Sequence, residues 1–411
     1  MTRDAATSYP KDQIKVLLLE NIHASASEIF GAEHFQIEKV KGALKPAELA
    51  AKIADVHILG IRSKTHVTAE VLANAKRLLT LGCFCIGTNQ VDLDAANRRG
   101  IPVFNAPFSN TRSVAELVIS EVVALARQLG DRSREVHEGN WKKTADGSHE
   151  IRGKTLGIVG YGHIGSQVGV LAEAMGMRVV FFDVMTKLPM GNNKSLPTLE
   201  ELLKVSDFVT LHVPATPQTK MMISAPQLAV MKRGAHLINN SRGSVVDIDA
   251  LAAAIKEGRV GGAAVDVFPE EPEGNGTGFQ SALRGLPNVI LTPHIGGSTE
   301  EAQESIGYEV ATSLTKFTNT GTTTGTVNFP AVELPLLPGM HRILNVHKNV
   351  PGVLRDVNKI IADLNANIVG QVLATDSNIG YLVMDVAKDV SIEVRDGISK
   401  LDTNIKTRIL F

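Results

Sequence analysis

Three apolar runs, "HLINN", "GAAVDVF" and "NVILTPH", each deliver residues that can handle a proton or an anion. Arg242 follows the first, Glu270 and Glu271 follow the second, and His294 ends the third. Histidine titrates near neutral pH, a carboxylate beside it favours the imidazolium and fixes the ring tautomer, and arginine offers a planar fork to a carboxylate. That is the set needed to oxidise a hydroxy acid or to reduce its oxo form: a base for the hydroxyl proton, a partner for the base, and a cation for the substrate carboxylate. The stretch "VDVFPEEPEGNG" packs three glutamates into four positions, and acid-rich Pro/Gly segments are commonly solvated turns. Glu270, Glu271 and Glu273 are at this point open between loop acid and base partner. His212, at the end of "FVTLHV", rivals His294, which the glycines of "PHIGG" favour by leaving room for a flat ring beside it.

A hydride acceptor is also called for, and "TLGIVGYGHIG" supplies its cradle. Gly160, Gly162 and Gly165 follow an apolar strand and open a helix. The first permits a tight turn, the second a close approach of backbone to a pyrophosphate, and the third close packing of helix on strand. "RVVFFD" then ends a strand at Asp183, 18 residues beyond Gly165. A carboxylate there accepts from the ribose hydroxyls and repels a 2′-phosphate, so NAD is expected over NADP.

Elements must hold these groups in place. From residue 14, "IKVLLLE", "VHILGIR", "LLTLGC" and "IPVFN" alternate with helical patterns, and a second such series starts at "GKTLGIVGYGHIG". Strands alternating with amphipathic helices predict an α/β fold with two doubly wound parallel sheets, a flavodoxin-like one and a Rossmann one. "SVAELVISEVVALARQLGDRSREVHEG" reads as one long helix between them. "TTTGTVNFPAVELPLLPG" has no helical period and reads as a linker. The remainder reads strand, helix, two strands, helix, strand, the order of a ferredoxin-like sandwich.

The chain of 411 residues has room for two or three domains, and 44% hydrophobic with 21% charged residues describes an ordinary globular protein. A formal charge of −1 argues against nucleic acid or an anionic membrane as partner. The polar start "MTRDAATSYPKDQ" and the lack of a long apolar segment lead us to expect a cytoplasmic protein. Cys83 and Cys85, the only cysteines, read as buried free thiols, and no metal is called for.

"TLGIVGYGHIG", "NNSRGSVVD", "GAAVDVFPEEP" and "LTPHIGGSTEEA" resemble the D-isomer-specific 2-hydroxyacid dehydrogenases. "GCFCIGTNQVDLDAANRRGIPVFNAPFSNTRSVAELV" is similar to the branch that acts on a phosphorylated hydroxy acid, and the C-terminal part resembles an ACT-type amino-acid-binding domain. The resemblance implies a discontinuous substrate domain of residues 1–109 and 299–330, an NAD domain of 110–298 inserted into it, a linker at 331–338 and an ACT domain at 339–411. It implies His294 as acid/base and Arg242 as substrate clamp. It selects Glu271 as the partner of His294, because the family's acid directly precedes the second proline. Glu270 and Glu273 stay loop acids. Cofactor contacts carried over are His163 and Ile164 with the three glycines, Asp183, Asn240, Ser241, Arg242, Asp266, and the run His294, Ile295, Gly296 and Gly297. Arg62, Ser63, Lys64, Asn110 and Lys143 are offered for a substrate phosphate, Lys143 from a neighbouring subunit; the family more often has arginine where Lys64 stands. His347, Asn349 and Asn367 fall where the family binds L-serine between subunits. The expected reaction is oxidation of 3-phospho-D-glycerate to 3-phosphooxypyruvate in a homotetramer feedback-inhibited by L-serine. Reduction of 2-oxoglutarate or another 2-oxo acid is the neighbouring alternative, and a corepressor-like NAD sensor the alternative of another class.

Overall fold

The computed structural model describes residues 8–272, 274 and 276–411. The chain forms two compact units, residues 1–109 with 303–411, and residues 110–302. Glu273 lies outside the described residues.

The first unit opens with five parallel strands, β1 (Lys15–Leu18), β2 (Gln36–Lys39), β3 (Ile58–Ile61), β4 (Thr80–Cys83) and β5 (Val103–Asn105). Their order, β2-β1-β3-β4-β5, is that of flavodoxin. β3 and β4 are buried along their whole length because helices cover both faces, which is why they read as unbroken apolar runs rather than alternating ones.

The second unit holds seven parallel strands: β6 (Thr155–Val159), β7 (Arg178–Phe182), β8 (Lys194–Ser195), β9 (Phe208–Leu211), β10 (His236–Asn239), β11 (Gly262–Val265) and β12 (Val289–Leu291). The order β12-β11-β10-β9-β6-β7-β8 reverses direction at β6, the switch point where doubly wound sheets bind ligands. The long helical pattern before β6 is two helices, Thr111–Ala126 and Leu129–His137, with Gln128 left-handed at φ 52° between them. The break is supported by outside donors: Asn288 Nδ2 donates to the Leu125 carbonyl and the His149 amide to that of Ala126. Periodicity alone carries no sign of those partners.

The C-terminal module of the first unit is an antiparallel sheet of β13 (His341–Lys348), β14 (Ile368–Thr375), β15 (Ile379–Val386) and β16 (Asn404–Leu410), ordered β14-β15-β13-β16. Alternation along the strands gives it two apolar faces. Ile343, Leu382 and Met384 pack with the helices Val353–Asp363 and Ser391–Ser399. Leu344, Val346, Tyr381 and Val383 instead join Phe104, Leu314 and Phe317 in one core.

The Thr/Gly/Pro stretch differs from the open linker its composition suggests. Asn328 Oδ1 accepts from the Val103 amide, its Nδ2 donates to the Ile101 carbonyl, and Thr323 and Val332 are buried. Residues 331–338 form no helix or strand, yet Arg342, paired to Asp385 at 2.7 Å and 2.8 Å, also donates to the Leu334 and Pro335 carbonyls. Among the described residues no helix is long and apolar enough to cross a membrane.

Candidate active site

The phosphate cradle follows from steric limits at two glycines. Gly160 has φ +90°, and a Cβ on it would stand 2.5 Å from the His212 carbonyl oxygen. A Cβ on Gly165 would stand 2.2 Å from the Gly160 oxygen, so turn and helix close on each other only without side chains. The space over Gly162 is open, and the helix His163–Ala174 begins there without a side-chain cap. An open loop at a helix N-terminus suits a pyrophosphate. Asp183, at the end of β7, accepts from the Tyr161 and Met185 amides and so sits beside the loop. These features fit a dinucleotide.

Two strands away, β10 and β11 run into loops that touch. A Cβ on Gly243 would fall 2.0 Å from the Phe268 carbonyl, which accounts for the glycine after Arg242. Asn239, fully buried, accepts from the Ser241 amide and hydroxyl and donates to the Arg242 carbonyl. It thereby shapes the turn that presents Arg242, a role unrecognised from sequence. Its signal was a polar residue doubled in "INNSRG" at a strand end.

His294 is held left-handed at φ 55°, a conformation that costs a non-glycine residue of order 1–3 kcal/mol and needs support. Asp266, 1% exposed, supplies it. Its Oδ1 accepts from Thr292 Oγ1 at 2.6 Å and the Ile295 amide at 2.8 Å, its Oδ2 from the Gly296 amide at 2.8 Å, and its carbonyl from the His294 amide. Asp266 thus anchors the histidine loop from within the sheet.

The His294 ring reaches Glu271. Nδ1 to Oε2 is 2.8 Å, and Glu271 Oε1 accepts from the Phe268 amide. The Glu271 hydrogen bond raises the His294 pKa above its ordinary value against the opposing effect of partial burial. Burial pushes Glu271 upward, but the His294 bond, the Phe268 amide and nearby Arg242 together bring it below the usual range. Glu270 is exposed. The rival His212 has its Nδ1 closed off from solvent without a partner, and burial drives its pKa down to about 3. A ring that stays neutral cannot shuttle a proton near pH 7.

The other expected residues divide between the units. Asn110 precedes the helix Thr111–Ala126 without a side-chain cap bond, and a Cβ on Gly297 would stand 2.4 Å from its Nδ2, so it adjoins the histidine loop. Lys143 is exposed in an irregular segment before β6. Arg62, Ser63 and Lys64 follow β3 in the first unit. There Glu20 gathers the amides of Arg62, Lys64 and Thr65 on its carboxylate, a second shaping residue that a strand-end glutamate in "LLLEN" only hinted at.

His347 and Asn349 lie at the end of β13 that pairs with Gly380 and Ile379, whereas Asn367 adjoins the start of β14, opposite Val386. That is six residues of β15, about 20 Å of strand. One chain therefore does not bring the three together. His347 is 4% exposed and bonded to Asn345, and Asn349 donates to the Asp376 carbonyl.

A glycine-rich helix start with a strand-end acid, beside a histidine, carboxylate and arginine at the carboxyl ends of neighbouring strands, defines a dinucleotide-dependent dehydrogenase. Residues 119–296 match the D-isomer specific 2-hydroxyacid dehydrogenase, NAD binding domain, and residues 343–406 match the AHAS small subunit-like ACT domain. D-3-phosphoglycerate dehydrogenase of Dictyostelium discoideum is 54% identical over 99% of this chain and 100% of its own, and that of Escherichia coli K12 is 51% identical over 99% and 100%. A crystal structure of D-lactate dehydrogenase from Aquifex aeolicus, complexed with NAD and lactic acid, aligns with TM-score 0.66 at 28% identity over 77% of this chain and 100% of that one. The chain belongs to the D-3-phosphoglycerate dehydrogenase family of D-isomer-specific 2-hydroxyacid dehydrogenases.

Proposed function

We infer that this protein oxidises 3-phospho-D-glycerate at C2 to 3-phosphooxypyruvate, the first step of L-serine biosynthesis. The observation that carries the chemistry is the 2.8 Å pair of His294 and Glu271 beside Arg242 on the NAD-binding domain. The end-to-end likeness to enzymes of that name supports the substrate. NAD, when bound, accepts the hydride from C2. His294 Nδ1 is engaged by Glu271, so Nε2 is the nitrogen that takes the C2 hydroxyl proton, and the carboxylate stabilises the imidazolium so formed. Arg242 holds the substrate carboxylate and the C2 oxygen as it becomes a carbonyl. In the reductive direction His294 begins protonated and donates. Asp183 holds the adenine ribose, and the glycine loop with His163 and Ile164 holds the pyrophosphate. Asn240, Ser241, Asp266 and the run His294 to Gly297 frame the nicotinamide. For the substrate phosphate the first unit offers Arg62, Ser63 and Lys64; the second offers Asn110, and Lys143 from a neighbouring subunit.

The ACT module makes the enzyme answerable to L-serine, bound by His347 and Asn349 of one copy with Asn367 of another. The register that separates these residues along the sheet supports a site shared by two copies; the assembly proposed is a homotetramer, and its place the cytoplasm. The test is an assay of NADH formation against a panel of phosphorylated and unphosphorylated hydroxy acids, run in reverse with 2-oxoglutarate and repeated with serine. Turnover of 3-phosphoglycerate far above the others, falling with serine, is expected. Preference for 2-oxoglutarate moves the substrate assignment to 2-oxo acid reduction, NADH binding without turnover of any acid leaves a sensor, and indifference to serine removes the effector.

A further inference from the structure

The helix Thr111–Ala126 packs against β10 and β11 through Val118, Val122, Leu125, Ile238 and Ala264. Within that apolar face sits Glu121, 3% exposed, which the chemistry above does not use. Asn240, the first residue beyond β10, donates from its Nδ2 to Glu121 Oε2 at 2.8 Å. The other oxygen of each side chain, Glu121 Oε1 and Asn240 Oδ1, is closed to solvent and has no partner.

As a carboxylate, Glu121 would leave two buried acceptors on one pair of side chains with no donor between them, and would place a second negative charge near Asp266 on the neighbouring strand end. Each unsatisfied buried acceptor is costly. A single proton on Oε1 satisfies both, because a carboxylic acid donates through one oxygen while accepting through the other. We propose that Glu121 is a protonated positioning residue: its acid and the Asn240 amide form a ring of two hydrogen bonds that fixes the start of the Asn240–Arg242 segment. Burial, with Asp266 adding to it and the Asn240 bond opposing it, pushes the Glu121 carboxyl up to about 8. Asp266 is the charged group bearing on it from the strand ends, while Val118, Val122, Ile238 and Ala264 are apolar. The proton is taken from water on folding and returned to water when the ring opens in alkali. Asn239 holds the same turn through Ser241, so the end of β10 is secured by two adjacent asparagines, of which only the second is sensitive to pH.

The proton assignment stands independently of the activity; its effect on turnover rests on the function proposed above. Glu121→Gln keeps the ring, with its amide donating to Asn240 Oδ1 and its carbonyl accepting from Nδ2, but cannot ionise. Glu121→Ala opens it at every pH. Infrared difference spectra of wild type against Glu121→Gln at neutral pH should show the carbonyl stretch of a protonated acid, lost from the wild type as the pH passes about 8. Glu121→Gln should gain thermal stability over the wild type progressively between pH 4.5 and about 8, then no further, since an unfolded chain ionises Glu121 from 4.5 upward while the folded one must keep its proton. The ratio of wild-type to Gln-variant kcat/KM for NAD should fall with rising pH above about 8, and the Ala variant should show a raised KM for NAD that Gln restores. A missing infrared band or a stability gap constant across this range overturns the protonated ring. A flat kinetic ratio with the band present overturns the positioning role. Should no hydroxy acid be turned over, the spectra and melting curves still decide the proton, and fluorescence titration with NADH replaces the kinetic ratio.

Discussion

Replacing Glu271 by Gln keeps the shape of the side chain and removes the charge that the His294 ring faces. A hydrogen bond to a charged group contributes about 1.5–3 kcal/mol. Here both side chains are partly open to solvent, with relative exposures of 52% and 35%, which places the loss toward the lower end. At about 1.4 kcal/mol per decade, kcat/KM for oxidation should fall roughly 10- to 30-fold. The sign of the pH effect follows from the cause of the shift. Glu271 holds the His294 pKa up, so its removal lowers that pKa, and the limb on which the base becomes deprotonated moves toward lower pH while the plateau drops. Glu270→Gln is the matched control, because Glu270 is exposed and should change the rate less than about twofold. The assay is initial NADH formation across the pH range for wild type and both variants. If the two variants give the same profile, or if the acidic limb of Glu271→Gln stays in place, Glu271 is not the partner of His294.

Gly165→Ala should destabilise the NAD domain by about 1–3 kcal/mol and weaken NADH binding, since its Cβ meets backbone at 2.2 Å; thermal melts and fluorescence titration measure both. Lys64→Ala should raise KM for the phosphorylated substrate about tenfold, consistent with the loss of one charge-assisted contact, and leave an unphosphorylated acid unaffected; steady-state kinetics on the two substrates check this. Asp385→Asn should cost about 3–5 kcal/mol because it strands the buried Arg342 charge, and Asp385→Leu combined with Arg342→Met should recover much of that, as read by urea unfolding.

What was legible in the sequence was what local backbone chemistry dictates. Gly160 and Gly165 announce themselves because no other residue fits their φ or their close approach, and strand ends carrying Arg242, Glu271 and His294 stand out against apolar runs. Choosing Glu271 over Glu270 needed the family resemblance, since the two are neighbours in one turn and only the Phe268 amide and the His294 ring distinguish them. The groups that position the site were hidden for a different reason. Glu121 reads as one polar turn of an amphipathic helix, and its partner Asn240 stands 119 residues further on. Glu20 and Asp266 likewise act on backbone amides of segments distant in the chain or disguised as loop. The break at Gln128 leaves no mark in the helical period because its supporting donors, Asn288 and His149, belong to other segments. Asn367 illustrates the opposite case: its motif was visible, but only strand register shows that it stands at the far end of the sheet from His347.

The core that unites Leu344, Val346, Tyr381 and Val383 with Phe104, Leu314 and Phe317 makes the C-terminal module part of the masonry of the first unit. Cutting the chain before β13 would not yield a trimmed, working catalyst. It would bare a greasy wall of the remaining protein and strip the Gly321 carbonyl of the Tyr381 hydroxyl that serves it, so the shortened chain is expected to clump. The effector reading is therefore to be tested by point changes at the sheet ends rather than by deletion.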